Sequence, residues 1–254
     1  TENIWMTNSY TLSYDDIYRV GDNASRAIRD AEGAALTSAL GTSITYDTRN
    51  HPRNPNRGVY LQLATDFAGV GGDVKYVRVQ GEGRAYYPIT ENITFVGRVI
   101  AGHIEGWGGD DVRLLDLYYR GGETIRGFDR AGFGPRDTFT NDALGGKTYW
   151  AATAEIRFPL PLIPEELGMS GAVFADAGSL FGASERVKEI NNCDPSASGD
   201  AVCLADDSSI RSSVGVGLLW NSPLGPLRLD YAYVLTKEKY DETQAIRFGA
   251  STKF

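Results

Sequence analysis

Apolar and polar residues alternate along most of this chain with a period of two. Leu227, Leu229, Tyr231, Tyr233 and Leu235 share one face, and Arg228, Asp230 and Ala232 the other. Val214, Val216, Leu218 and Trp220 likewise oppose Ser213, Gly215, Gly217 and Asn221. At the C-terminus Ile246, Phe248, Ala250, Thr252 and Phe254 oppose Ala245, Arg247, Gly249, Ser251 and Lys253. Such alternation marks strands that separate two environments. It predicts ten strands, near residues 3–20, 34–48, 58–69, 74–88, 93–107, 148–159, 169–181, 210–222, 225–237 and 244–254. A turn of helix is expected at Glu185–Ile190, and the fold class is all-β and antiparallel.

The connections refine this picture. Turns near Asn50–Arg57, Thr90–Asn92, Leu162–Gly168 and Pro223–Gly225 are short and carry Pro, Asn and Gly. Gly21–Gly33, Gly108–Lys147 and Gly182–Ser209 are long, while the connections near Gly71 and Tyr240 are short. Short turns at one end and mostly longer loops at the other are the layout of an outer-membrane β-barrel, with turns periplasmic and loops external. An even strand count then places both termini on the periplasmic side.

The two faces differ in what they can touch. Arg78, Glu82 and Arg84 lie on one polar face, and Glu155 and Arg157 on another. A basic group near the bilayer midplane costs about 2–4 kcal/mol, so these faces line a wet lumen and the apolar faces meet lipid. Tyr10, Tyr14, Tyr46, Tyr87, Trp150, Phe158, Trp220, Tyr231, Tyr233 and Phe254 stand near strand ends, where amphipathic rings suit the headgroup level. A soluble sandwich or lipocalin-type barrel would have to fill its interior with these rings, and would not need a Gly-rich, charged opposite face.

Composition agrees with that reading. The mean hydropathy is −0.28, and no apolar run approaches the roughly 18 residues of a helical span. Alternating strands average to a soluble-looking score. A net charge of −8 over 254 residues argues against nucleic acid as a partner. No cleavable signal peptide opens the chain. Cys193 and Cys203 sit in one polar stretch with no His nearby, a poor metal site. A local disulfide in an oxidising compartment is the better reading, two free thiols the other. Only His51 and His103 could serve as general bases. His51 lies in a turn and His103 on an outward face; the acidic pairs Asp110–Asp111 and Asp206–Asp207 read as solvated. No GxSxG, phosphate loop, metal site or cofactor motif is present, and no catalytic residue is assigned.

The forty-residue loop 108–147 is too long to be a passive connection. It holds GGETIRGFDRAGFGP, in which Gly121, Gly122, Ile125, Arg126, Gly127 and Phe128 resemble the GG…(V/I)RGF motif of the BamA/TamA-type outer-membrane insertases. The motif lies before the fifth strand from the C-terminus, as in that family. Trp220–Leu227 (WNSPLGPL) looks like the family's turn before the penultimate strand, and Val173–Phe181 (VFADAGSLF) like the strand whose inward acid meets the loop. The resemblance covers the whole chain and is nearer the BamA branch.

The resemblance implies that loop 108–147 folds into the lumen, that Arg126 grips Asp176, and that Phe128 packs beside the pair. Asp176 has the parity of Phe174 and Gly178 and so can point inward. In the last strand, Arg247, Phe248, Gly249 and Phe254 resemble the seam and assembly signal, with Thr252 where an apolar residue is expected. The family also implies a sixteen-stranded parent with preceding periplasmic repeats. Residues 1–254 would then be the C-terminal portion of the barrel domain. The implied function is not enzymatic: a Gram-negative outer-membrane factor folds and inserts client barrels by strand templating at a lateral seam. Its implied partners are outer-membrane lipids, unfolded client barrels and accessory lipoproteins, without a cofactor. The alternative is a small outer-membrane barrel acting as a rim protease or a passive pore.

Overall fold

The computed structural model describes residues 2–52, 54–161, 163–164, 167–194, 201–222 and 225–250. Ten long strands form one antiparallel sheet in strict sequence order. They are β1 (Ile4–Ile17), β2 (Gly33–Asp47), β3 (Gly58–Ala68), β4 (Tyr76–Pro88), β5 (Thr94–Gly106), β6 (Thr148–Pro159), β7 (Met169–Phe181), β8 (Arg211–Ser222), β9 (Gly225–Thr236) and β10 (Ile246–Ala250). Every neighbour in the order is also a neighbour in sequence, so each pairing needs only a turn or loop. Among the described residues β1 pairs only with β2, and β10 only with β9. Phe254 lies outside the described residues.

Register fixes the faces, because a one-residue slip would exchange them. Leu61, Leu63, Val79, Val99, Val173, Val216, Leu229, Tyr231 and Phe248 all stand exposed on the outward side. The inward side carries Glu82, Arg84, Glu155, Asp176, Arg228 and Asp230. Arg228 on β9 reaches Glu155 on β6 past two intervening strands, with Nη2 donating to Oε2 at 2.7 Å. Such a contact needs the sheet to curve toward its charged side.

One half of the interior departs from the wet lumen that alternation implies. Toward the long loops the inward face turns apolar, and Ile104, Tyr118, Ile125, Phe128, Phe133, Tyr149 and Leu180 form the main buried cluster. The long loop packs its own side chains against the wall there, so the core is loop on sheet. A second cluster joins Ala27, Leu144, Ala183, Val187 and Val202. It interlocks three loops through two short helices, α1 (Arg26–Arg29) and α2 (Glu185–Glu189). Ser184 caps α2, its Oγ accepting from Val187 N at 3.4 Å.

Candidate functional site

β6 and β7 set two carboxylates side by side. Their register places Glu155 opposite Phe174 and Thr153 opposite Asp176. Both acids are inward and buried. Above them the loop turns at Gly121, where Thr124 N and Ile125 N donate to Gly121 O at 2.8 and 3.0 Å. That turn delivers Arg126. Its Nε and Nη2 donate to Asp176 Oδ2 and Oδ1, both at 2.7 Å, and its backbone N donates to Oδ2 at 3.0 Å. Its Nη1 donates to Glu155 Oε2 at 2.7 Å. The guanidinium lies 3.4 Å from the centre of the Phe174 ring. A planar fork can saturate two carboxylates and stack at once, which an ammonium cannot.

The glycines of the motif follow from its surroundings. Gly127 has a φ of +97°, and a Cβ there would lie 2.9 Å from Val234 Cγ2. A Cβ on Gly122 would come within 2.4 Å of Arg247 Nη1 and 2.5 Å of Phe128 O. Phe128 is buried with its ring edge-on to Phe133, centroids 5.3 Å apart. Phe174, supplied by β7, takes the place beside Arg126.

A second set of contacts ties the motif to the end of the chain. Gly127 and Phe128 pair antiparallel with Gln244 and Thr243, two residues short of β10. Asp129 N donates to Glu242 O at 3.0 Å, and Glu242 N to Gly132 O at 2.8 Å. Arg247 on β10 reaches Glu123 of the loop, Nη2 to Oε2, at 3.4 Å. Phe248 points outward, and Gly249 lies opposite Arg228. Alternation could locate Glu155 on the inner wall but not make it the second acceptor of Arg126. The pairing with Thr243–Gln244 had no sequence cue, since two-residue ladders carry no period.

The remaining candidates sit elsewhere. Cys193 and Cys203 are joined by a disulfide in the long loop between β7 and β8. Of the acidic pairs, Asp110 is exposed, its side chain 46% accessible beside Lys75, while Asp111 and Asp206 are built into the long loops. Asp206 accepts from Gly182 N and Ala183 N at 2.9 and 2.8 Å, and Asp111 from Arg186 N at 3.0 Å and from Lys147 Nζ at 3.4 Å. His103 is exposed on the outward side with Nδ1 2.7 Å from Thr148 Oγ1. His51 lies in the β2–β3 turn, at the opposite end of the sheet, where its Nδ1 accepts from Asn54 N at 3.0 Å. Among the described residues no group of three or more His, Cys, Asp or Glu could hold a metal ion.

An Omp85 superfamily domain matches residues 1–254. The outer membrane protein assembly factor BamA of Neorickettsia risticii is 32% identical over 246 residues, covering 96% of this chain and 31% of that protein. The sorting and assembly machinery component 50 homolog of Bos taurus is 27% identical over 268 residues, covering 98% of this chain and 53% of the relative. A crystal structure of BamA from Haemophilus ducreyi lacking POTRA domains 1-3 superposes with a TM-score of 0.78 at 22% identity, over 98% of this chain and 51% of that one. The sheet is thus that of a BamA barrel, and the chain spans about a third to a half of the relatives it matches.

Proposed function

Because the chain belongs to the Omp85 superfamily, we propose that it forms the C-terminal part of the barrel of an outer-membrane protein assembly factor, with its short turns and both termini on the periplasmic side. The relatives' names carry the assembly role, and the outward apolar face supports the membrane. Loop 108–147 acts as an internal brace. Arg126 fixes it to β6 and β7, and the ladder to Thr243–Gln244 links it to the strand that ends the sheet. A client strand adds to a free sheet edge through backbone hydrogen bonds, as in strand addition generally. The brace holds β10 in place while that edge is occupied. Clients are unfolded barrel proteins, and accessory lipoproteins and outer-membrane lipids complete the assembly.

The observation that carries this reading is the double attachment of one motif, to the wall and to the last strand. Its test is assembly of a client barrel in lipid vesicles by the intact factor. Arg126→Ala leaves two buried carboxylates short of a partner, a change that costs about 3–5 kcal/mol for a buried pair. We expect assembly to fall about tenfold or more and the loop to become protease-sensitive. Arg126→Lys keeps the charge without the fork and should fall between the two. Wild-type rates together with a protease-resistant loop in Arg126→Ala would remove the proposal.

A further inference from the structure

The inner wall below the clamp holds a cavity of about 640 Å³. Its charged lining includes Arg84, Arg98, Arg157, Arg228 and Arg247, with Arg126 at its roof. Arg84 and Pro88 end β4, Thr94 and Arg98 begin β5, Arg157 ends β6 and Arg228 begins β9. The cavity therefore sits toward the short turns, and the loop segment Gly122–Arg126 closes it from the other side. In a chain of net charge −8 this is a local reversal of sign.

Five carboxylates, Glu82, Glu123, Glu155, Asp176 and Asp230, accompany these six guanidiniums; Glu123 is 46% exposed beside Arg247, and the other four stand behind the arginines. The side chains of Glu155 and Asp230 are 3% and 7% exposed, against 35% for Arg84, 33% for Arg98, 26% for Arg157 and 33% for Arg247. Arg84 and Arg98 are directly opposite in register, a costly placement for like charges. One atom, Glu82 Oε1, accepts from the Nε of both, at 2.7 Å each. Among the described residues Arg157 donates through Nε alone, to Glu155 Oε1 at 2.7 Å. The terminal nitrogens of Arg98 and Arg157 make no hydrogen bond among the described residues. They are the forked donors that bind oxyanions in pairs.

We propose that this cavity binds the carboxylates of an acidic peptide segment entering from the short-turn end. The volume lies in the range of about 300–1,000 Å³ typical of sites for organic ligands, and the donors are spread over five strands. A single phosphate would engage one or two of them; a peptide with successive carboxylates engages the set. The site is independent of the assembly step, and it is read by binding alone.

The test is calorimetric titration of the intact protein in detergent micelles with hexaglutamate, hexaglutamine and inorganic phosphate. Hexaglutamate should bind, weaken as salt rises, and resist displacement by equimolar phosphate. Hexaglutamine should bind about tenfold weaker or worse, since hydrogen bonds from a guanidinium to a carboxylate are stronger than those to a neutral amide. Arg98→Gln with Arg157→Gln should lose binding by a similar factor, and Arg98→Lys with Arg157→Lys should retain more of it. Equal binding of the two peptides, or displacement by equimolar phosphate, would overturn the proposal with wild-type protein alone. Undiminished binding by a folded glutamine variant would overturn it as well. None of these results bears on whether Arg126 braces the loop during assembly.

Discussion

Arg126 places its backbone N–H and three guanidinium nitrogens on two carboxylates from adjacent strands. Arg211 does the equivalent at the long-loop end of β8. It is buried, its Nε donates to Asp241 Oδ2 at 2.9 Å, and its Nη1 donates to Asp207 Oδ1 at 2.8 Å. Asp207 also accepts from Ser209 N at 2.8 Å and from the Tyr240 hydroxyl. Burial raises the Asp207 pKa, but the Ser209 hydrogen bonds and the Arg211 charge outweigh it and hold the carboxyl below its ordinary 3.8. The unfolded chain thus binds the proton more tightly than the folded one. The stabilisation is fully present above about pH 3.8 and is lost as pH falls through the lower, folded value. Pepsin cleavage between residues 201 and 211 should accordingly rise steeply as pH drops below 3.8 in the wild type. Asp207→Asn should be cleaved faster at pH 4 to 5 and show a shallower pH response. Parallel pH profiles for the two proteins would contradict this.

At the scale of elements, the long loops behave as one cap. Ser25 Oγ donates to Asp137 Oδ2 at 2.7 Å, and Cys203 N donates to Asp137 Oδ1 at 3.1 Å. Thr138 N donates back to Cys203 O at 2.9 Å, beside the short ladder of Arg136–Asp137 with Leu204–Ala205. The disulfide closes ten residues of chain onto this junction. By loop entropy such a closure is worth about 2–3 kcal/mol. Its reduction should therefore open residues 182–209 to protease while the strands, which share none of these bonds, keep their heat resistance on gels. Joint loss of both would show that the cap and the wall unfold together. These loops also mark where sequence reading stops. The ten strands were legible to within a few residues because alternation is a local property, and the helix at Glu185–Glu189 follows its Ser184 cap. The four-residue helix Arg26–Arg29 is too short to show a period. Asp206 reads as solvated because its partners, Gly182 and Ala183, lie 24 and 23 residues away, and the Tyr240 hydroxyl that meets Asp207 lies 33 away. Arg126 with Asp176 was legible only through the resemblance of the loop motif. Parity alone gave Asp176 a direction and no partner.

The whole molecule turns on which solvent touches which face. Val99 is in mid-strand on β5, 57% exposed, with Leu61, Leu63 and Val173 in the same outward band. Contiguous exposed apolar bands are rare on soluble monomers. In water, arginine at an exposed valine changes stability by no more than about 0.5 kcal/mol. In hydrocarbon the same substitution costs about 2–4 kcal/mol near the midplane. Val99→Arg therefore separates the two solvents by a factor of about ten or more in the folding equilibrium. Gln62→Arg on the inward side of β3 is the control, since it adds a charge to a face that already carries several. In lipid vesicles, urea titration should show Val99→Arg destabilised by about 2–4 kcal/mol and Gln62→Arg nearly unchanged. The reverse order, or two equal small effects, would mean that hydrocarbon does not meet the outward face. The charged wall and its arginines would then have to find their water on the outside.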